Sequence, residues 1–364
     1  MKGFTKLMLL ALSLGLLFSC HRRPLFDLEY THYVRVYLDE ELKNVTTGFY
    51  NEKHLKPEYS TPKVVRVVLC HPETGQVMAE RYLQNPGSDE RGNYLDGYIS
   101  AGPGEYKLLA YSFGTESTIL RNEGAYHRVE AYTNPISSYL YGTFNVKSRA
   151  EGEKIVYDPD HMFVDNYENL KVDYKSHIDT LYNENGDYFT AQSIVKTYYI
   201  QVTIEGAQYI SSAVALLNGM GGSSVLYTGP EPNNDPATIY FDMIKSGTEG
   251  VSDEMISGAQ PTDPVKGVMY SNFGTFGKLE SMNNELEMSF DVITTDGRKL
   301  SYKLDITHKF YEDDAIRHYW IIIRDAIVIP PPDPNDPNNP GGNGSGGFIP
   351  NVDEWQDIET EIII

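Results

Sequence analysis

Two cysteines in 364 residues are too few for a disulfide framework, and two tryptophans leave aromatic packing to 28 tyrosines and 14 phenylalanines. Basic residues are scarce as well: 30 Lys and Arg stand against 51 Asp and Glu, for a net charge of −21. So acidic a surface repels phosphate backbones, and no basic, aromatic-interleaved patch rises above it, which argues against nucleic acid as a partner. The apolar run Leu7–Phe18 is too short to span a bilayer. Catalytic spacings are missing too, with no His-Glu-x-x-His, no Gly-x-Ser-x-Gly and no Walker loop. The glycine-rich stretch Gly219–Ser224 has no lysine to cradle a phosphate and reads as a turn or bulge.

What the chain does have begins at its first residues. Lys2 and Lys6 precede the apolar run, and Ser19 and Cys20 follow it, the order of a secretory signal peptide over residues 1–19. The ending Leu17-Phe18-Ser19-Cys20 resembles a bacterial lipobox, which implies cleavage before Cys20 and acylation, palmitate included, of its thiol and amine. Several acyl chains at ~0.8 kcal/mol per buried methylene anchor a protein stably. Loss of Lys2 and Lys6 with the signal takes the net charge from −21 to −23. Cys70 then has no partner within the chain, and it ends the apolar run Val64–Cys70, which reads as a buried strand. The adjacent His71 points to the opposite face of a strand and cannot activate it.

Abundant Tyr, Val, Ile and Thr favour pleated, half-buried surfaces, and alternating runs separated by turn residues predict an all-β protein built as sandwiches. Strands are expected at His32–Leu38, Lys63–Cys70, Val77–Gln84, Tyr94–Ser100 and Glu105–Ser112, with Gly102-Pro103-Gly104 turning the last pair. Further on they are expected at Thr197–Ile204, Thr238–Ile244, Glu285–Thr294, Lys299–Thr307 and His318–Ile329, with Asp296-Gly297 as a hairpin turn. Periodicity leaves Ala207–Leu217 open between strand and helix. A polar passage suggests a first domain over 20–165, a connection over 166–195 and a second domain over 196–329. Residues 330–347 carry the Pro, Asn, Asp and Gly-Ser composition of a linker, and 348–364 form a tethered β-prone segment. Its apolar Val352, Trp355, Ile358 and Ile362 are candidate anchors of a strand that completes a sheet, in this molecule or in a neighbour.

The densest set of hard ligands is Asp158, Asp160, His161, Asp165 and Glu168, which lacks EF-type spacing and reads as an interdomain turn rather than a metal site. Asn183, Asn185 and Asp187 around Gly186 read as a hairpin tip, and Asp313-Asp314 between His308 and His318 as solvated loop charge. Tyr126, Tyr132, Tyr139 and Tyr141 could stack on sugar rings, but fit a sheet face or core better. No catalytic residue, metal or cofactor is expected, and the chain reads as no enzyme.

The lipobox, the mature start Cys20–Leu25, the run Pro103–Tyr111, Leu286–Phe290 with Asp296-Gly297, Leu304–Thr307, Ser211–Gly219 and the tail Val352–Ile358 together resemble the fimbrillin-like lipoproteins of Bacteroidales, in particular the type V pilus anchor and accessory subfamily. The resemblance implies two transthyretin-like β-sandwich domains in tandem, lipid anchoring in the outer membrane at the cell surface, and a role in anchoring or assembling fimbriae and in adhesion, with pilin subunits or other surface proteins as partners. Stalk members of the wider family are trimmed after an N-terminal arginine. Arg35 and Arg66 lie inside expected strands and neither stands out as such a site, so a retained lipid anchor is the expected form. A monomeric surface glycan- or protein-binding lipoprotein is the alternative.

Overall fold

The computed structural model describes residues 30–39, 61–114, 116–137, 140, 153–173, 178–229, 231–245, 266–279, 286–332 and the backbone of 356–363. The first strands are β1 (Thr31–Asp39), β2 (Val65–Cys70), β3 (Val77–Leu83), β4 (Asn85–Asp89), β5 (Gly92–Ser100), β6 (Gly104–Ser112), β7 (Thr118–Arg121) and β8 (Glu130–Thr133). They are followed by β9 (Lys154–Tyr157), β10 (Phe163–Val172), β11 (Asp179–Thr180), β12 (Phe189–Ser193), β13 (Lys196–Glu205), β14 (Ile210–Gly221) and β15 (Ser223–Val225). The last are β16 (Pro236–Lys245), β17 (Lys266–Thr275), β18 (Glu287–Thr294), β19 (Lys299–Asp305), a short helix α1 (Asp313–His318), β20 (Trp320–Val328) and β21 (Gln356–Ile363).

These strands form two large sheets, each folded over its own core, so the architecture is a pair of tandem β-sandwiches. The first runs β3-β2-β6-β10-β12-β1-β5-β4, with β11 also on β1. Alternation drives it: Val34, Val36 and Leu38 of β1 point inward to meet Val65, Val67, Leu108 and Phe189, while Tyr33, Arg35 and Tyr37 point outward. The second sheet runs β20-β13-β17-β16-β14-β18-β19-β21, with β9 also on β16. Its core takes Ile200, Val202 and Ile204 of β13, Phe290 and Val292 of β18, and Leu300, Tyr302 and Leu304 of β19. β16 turns the corner between layers: Ala237–Met243 pair with β14, whereas Ile244 and Lys245 pair with β17.

The hairpin at Asp296-Gly297 joins β18 to β19, with the Thr294 N–H donating to the Arg298 carbonyl at 2.9 Å. Ala207–Tyr209 form a single 3₁₀ turn before β14, and a register shift between Leu217 and Met220 puts a bulge in the glycine-rich stretch. Cys70 is fully buried, and burial pushes its thiol up to about 11, so it is inert core. Every residue of β2 is buried because both its faces are covered, Val67 and Leu69 by the first core, Val68 and Cys70 by a third one.

That third core corrects the expected boundaries. The passage 166–195 is no connection: β10 pairs with β6, and β11 and β12 pair in parallel with β1, so they complete the first sheet. Conversely β9, expected in the first domain, lies parallel to β16 of the second sheet, and β15 reaches back to β8 in a small third sheet, β15-β8-β7. Val68, Leu109 and Tyr111 of the first sandwich pack with Leu226 and Phe276 of the second half of the chain. The polar residues that suggested a connection are outward-facing or, as with Asp165, bound to backbone.

Candidate functional site

Of the expected site residues, Cys20, Val352 and Trp355 lie outside the described residues, as do Tyr139 and Tyr141. Ile358 and Ile362 lie in β21, whose backbone runs parallel to β19 with Tyr302 opposite Ile358 and Leu304 opposite Ile362. Among the described residues β19 is otherwise paired with β18 alone, so β21 occupies the outer edge of the second sheet as described. Parallel neighbours need a long crossover, and 51 positions separate Asp305 from Gln356, enough chain to return the strand in the same direction.

The acidic set is dispersed among structural tasks. Asp160 Oδ2 accepts the backbone N–H groups of Glu116, Ser117 and Thr118 at 2.8–3.0 Å, pinning the turn before β7. Asp158 accepts the Gly274 N–H at 3.2 Å, and burial raises its carboxyl to about 6. Both border a cavity of about 490 Å³ together with Asn134, Tyr157, His161 and Asn272. Burial lowers His161 to about 4, so its ring is neutral. Asp165 accepts the Thr190 N–H at 2.8 Å between β10 and β12, and Glu168 pairs with Lys107 at 2.6 Å. Among the described residues, no three His, Cys, Asp or Glu side chains are grouped to hold a metal.

Asn183 closes its own turn, its Oδ1 accepting from the Asn185 and Asp187 N–H groups. Asp313 and Asp314 are the first turn of α1, not a loop, with Arg317 and His318 at its other end. Tyr126 is wholly buried. Arg66 is the second residue of β2, almost covered, held by Glu80, Glu123 and the Tyr111 hydroxyl. Arg35 is central to β1, opposite Asp96.

The surroundings of Arg35 form a site that sequence reasoning missed. β1 and β5 are antiparallel with Tyr33 opposite Tyr98, Arg35 opposite Asp96 and Tyr37 opposite Tyr94, so two tyrosine pairs bracket an ion pair on the outer face. The rings meet edge to face, Tyr33 with Tyr98 at 5.6 Å and Tyr37 with Tyr94 at 5.4 Å. The guanidinium lies 3.8 Å from the Tyr94 ring centroid and 5.1 Å from that of Tyr188, and donates to the Tyr33 and Tyr37 hydroxyls and to Asp89. Tyr37 in turn donates to Asp89 at 2.7 Å, which holds that carboxyl below its usual range. Burial, helped by the hydrogen bond to Asp96, raises Tyr33 to about 12. The signal was present as Tyr33-x-Arg35-x-Tyr37 and Tyr94-x-Asp96-x-Tyr98, two alternations that gain meaning only once their register is known.

A curated protein of Bacteroides ovatus named "Putative fimbrium anchoring subunit Fim4B" is 25% identical over 222 residues, 57% of this chain and 60% of that protein, so the chain spans about three-fifths of the length of the curated relative it matches. A crystal structure described as "a putative adhesin from Bacteroides ovatus" superposes with a TM-score of 0.53 at 20% identity, covering 86% of this chain and 98% of that one, and shows the same fold. The fimbrial anchor protein Mfa2 from Porphyromonas gingivalis aligns at 11% identity with a TM-score of 0.41, over 80% of this chain and 88% of that one. Residues 56–242, more than half of the sequence, match the family described as "Domain of unknown function (DUF5119)", and the chain belongs to that family.

Proposed function

We propose that this chain is a non-enzymatic lipoprotein of the outer membrane that anchors fimbriae or assists their assembly, and through them takes part in cell adhesion. The observation that carries the reading is β21, the outer strand of the second sheet, which among the described residues pairs with β19 on one side, after a Pro- and Gly-rich stretch of sequence. A strand so placed can seal its own sheet or pair with a neighbour's, because main-chain hydrogen bonding is indifferent to which chain supplies the edge. The relative named as a fimbrium anchoring subunit supports a fimbrial context. Cys20 is the acylated residue in this reading, the lipid holds the chain to the membrane, and Val352, Trp355, Ile358 and Ile362 anchor the strand.

Deletion of everything after Pro340 tests the strand. Both sandwiches are expected to stay folded while co-purification of fimbrial subunits from outer membranes is lost. A lowered melting temperature with capture unchanged would assign the strand to its own molecule, and a truncation that alters neither removes its role. Cys20→Ala tests the anchor: metabolic labelling with a tagged fatty acid is expected to fall to background, since no other thiol lies near the cleavage site, and undiminished label overturns lipidation at Cys20.

A further inference from the structure

We infer that the outer face of the first sandwich around Arg35 is a carbohydrate-binding face that takes a neutral polysaccharide, a function separate from the fimbrial reading and independent of it. Four of its tyrosines, Tyr33, Tyr98, Tyr37 and Tyr94, belong to the β1–β5 ladder, and Tyr188 and Tyr182 extend it, with Tyr37 to Tyr188 at 5.9 Å and Tyr188 to Tyr182 at 5.2 Å. Tyr98 and Tyr182, at the two ends, are 46% and 41% exposed. Tyr37 is buried and Tyr33, Tyr94 and Tyr188 are half-buried, so they form the support, and the rings presented to solvent, which offer the C–H face of a sugar a partner, are those of Tyr98 and Tyr182.

The rings are fixed before anything binds. Tyr33 and Tyr37 are tied by hydroxyl hydrogen bonds to Asp96 and Asp89. Tyr94 lies across β4, where a Cβ on Gly87 would overlap its ring, so only glycine at that position lets the ring take this pose. Rings already immobilised lose little freedom on binding. Beside the ladder opens a cavity of about 440 Å³ lined by Tyr37, Asp39, Ser88, Arg91, Asn93 and Thr190, a set of hydroxyl, amide and charged groups suited to sugar hydroxyls and of a size usual for ligand pockets.

Charge selects among polysaccharides. Arg35, the cation at the centre, is already neutralised by Asp89 at 3.1 Å and Asp96 at 3.8 Å, and Arg91 pairs with Asp187 at 3.5 Å. No uncompensated positive charge remains in the ladder to attract a carboxylated or sulfated polymer, and the chain's net charge of −21 repels one. The occupant is therefore an uncharged chain of sugars.

The experiment uses the full chain in detergent with mannan, dextran and xyloglucan as neutral probes and alginate and hyaluronate as acidic ones, binding being read by affinity electrophoresis and calorimetry. At least one neutral polymer is expected to bind, and the Tyr98→Ala/Tyr182→Ala double variant to bind it at least tenfold more weakly at an unchanged melting temperature. Tyr82→Ala, which removes a 45% exposed tyrosine on β3 outside the ladder, is expected to bind as the parent does. Binding of the acidic polymers alone, no binding of any neutral one, or binding that survives the double variant overturns the inference. So does self-association through this face, seen as a dimer in sedimentation that the double variant abolishes.

Discussion

Phe276→Ala is expected to lower stability by about 3–5 kcal/mol and to split one calorimetric unfolding transition into two. Phe276 is wholly buried in the third core, where Val68 and Cys70 of β2, Leu109 and Tyr111 of β6 and Leu226 from the second half converge. Truncation removes the ring and leaves a cavity between two bodies that each retain a core of their own, so the loss falls on their coupling. Phe290→Ala provides the contrast. Phe290 belongs to the core of the second sandwich alone, and its removal is expected to weaken that sandwich without an equivalent effect on the junction. Differential scanning calorimetry of both variants decides the matter, and a Phe276→Ala trace that only shifts as a single peak would show that the backbone links, β9 on β16 and β15 on β8, suffice to couple the halves.

Asp165→Asn is expected to stabilise the protein at alkaline pH and to leave it unchanged in acid. Burial raises the Asp165 carboxyl from 3.8 to about 7, despite the Thr190 N–H that it accepts. The folded state then holds a proton that the unfolded state has released, so stability is full below about 3.8 and is lost as pH rises through about 7. The elevation corresponds to at most about 4 kcal/mol, which asparagine, neutral at every pH and able to accept the same N–H, does not lose. His161 works in the other direction: lowered from 6.5 to about 4 by burial, it contributes stability above 6.5 that is lost as pH falls through about 4. Because His161 is common to both proteins, the difference between parent and Asp165→Asn isolates the carboxyl. Urea unfolding at pH 3.5 and pH 8.5 measures it, and two parallel stability profiles would refute the desolvated, proton-holding carboxyl.

The strands that were legible in the sequence are those whose residues either alternate polar with apolar or run apolar throughout. β1 and β18 alternate cleanly, β2 reads as a continuous apolar run because both faces are covered, and Asp296-Gly297 fixes the β18–β19 hairpin locally. β10 escaped because it carries Asp165, Asn166, Glu168 and Asn169, and only the distant Thr190 explains how a half-buried carboxyl is held within a sheet. β17 escaped for a related reason: Ser271 takes an inward position, and Gly274 stands where a Cβ would press on the Pro159 carbonyl, a constraint from another part of the chain. The tyrosine ladder was invisible on the same grounds. Each half of it is an ordinary alternation, and its chemistry exists only in the pairing of Arg35 with Asp96. Sequence neighbours therefore identified the fold class, whereas partners far apart in sequence built the site.

The parallel pairing of β9 with β16 also fixes an order of events at birth. A chain emerging N-terminus first delivers Lys154–Tyr157 well before Ala237–Tyr240, the residues that β9 pairs with. Until then β9 has no ladder, β8 awaits β15, and the cover that Tyr126, Val129 and Met162 give one side of β2 stays incomplete for want of Leu226 and Phe276. Early residues cannot settle at translation's own pace, since the contacts that hold them belong to segments not yet made. An arrest of synthesis before Ser223 would thus release a fragment without β15, β16, Leu226 and Phe276, its β9 unpaired and Val68 and Leu109 incompletely covered, a substrate for proteases and self-pairing rather than a finished first half.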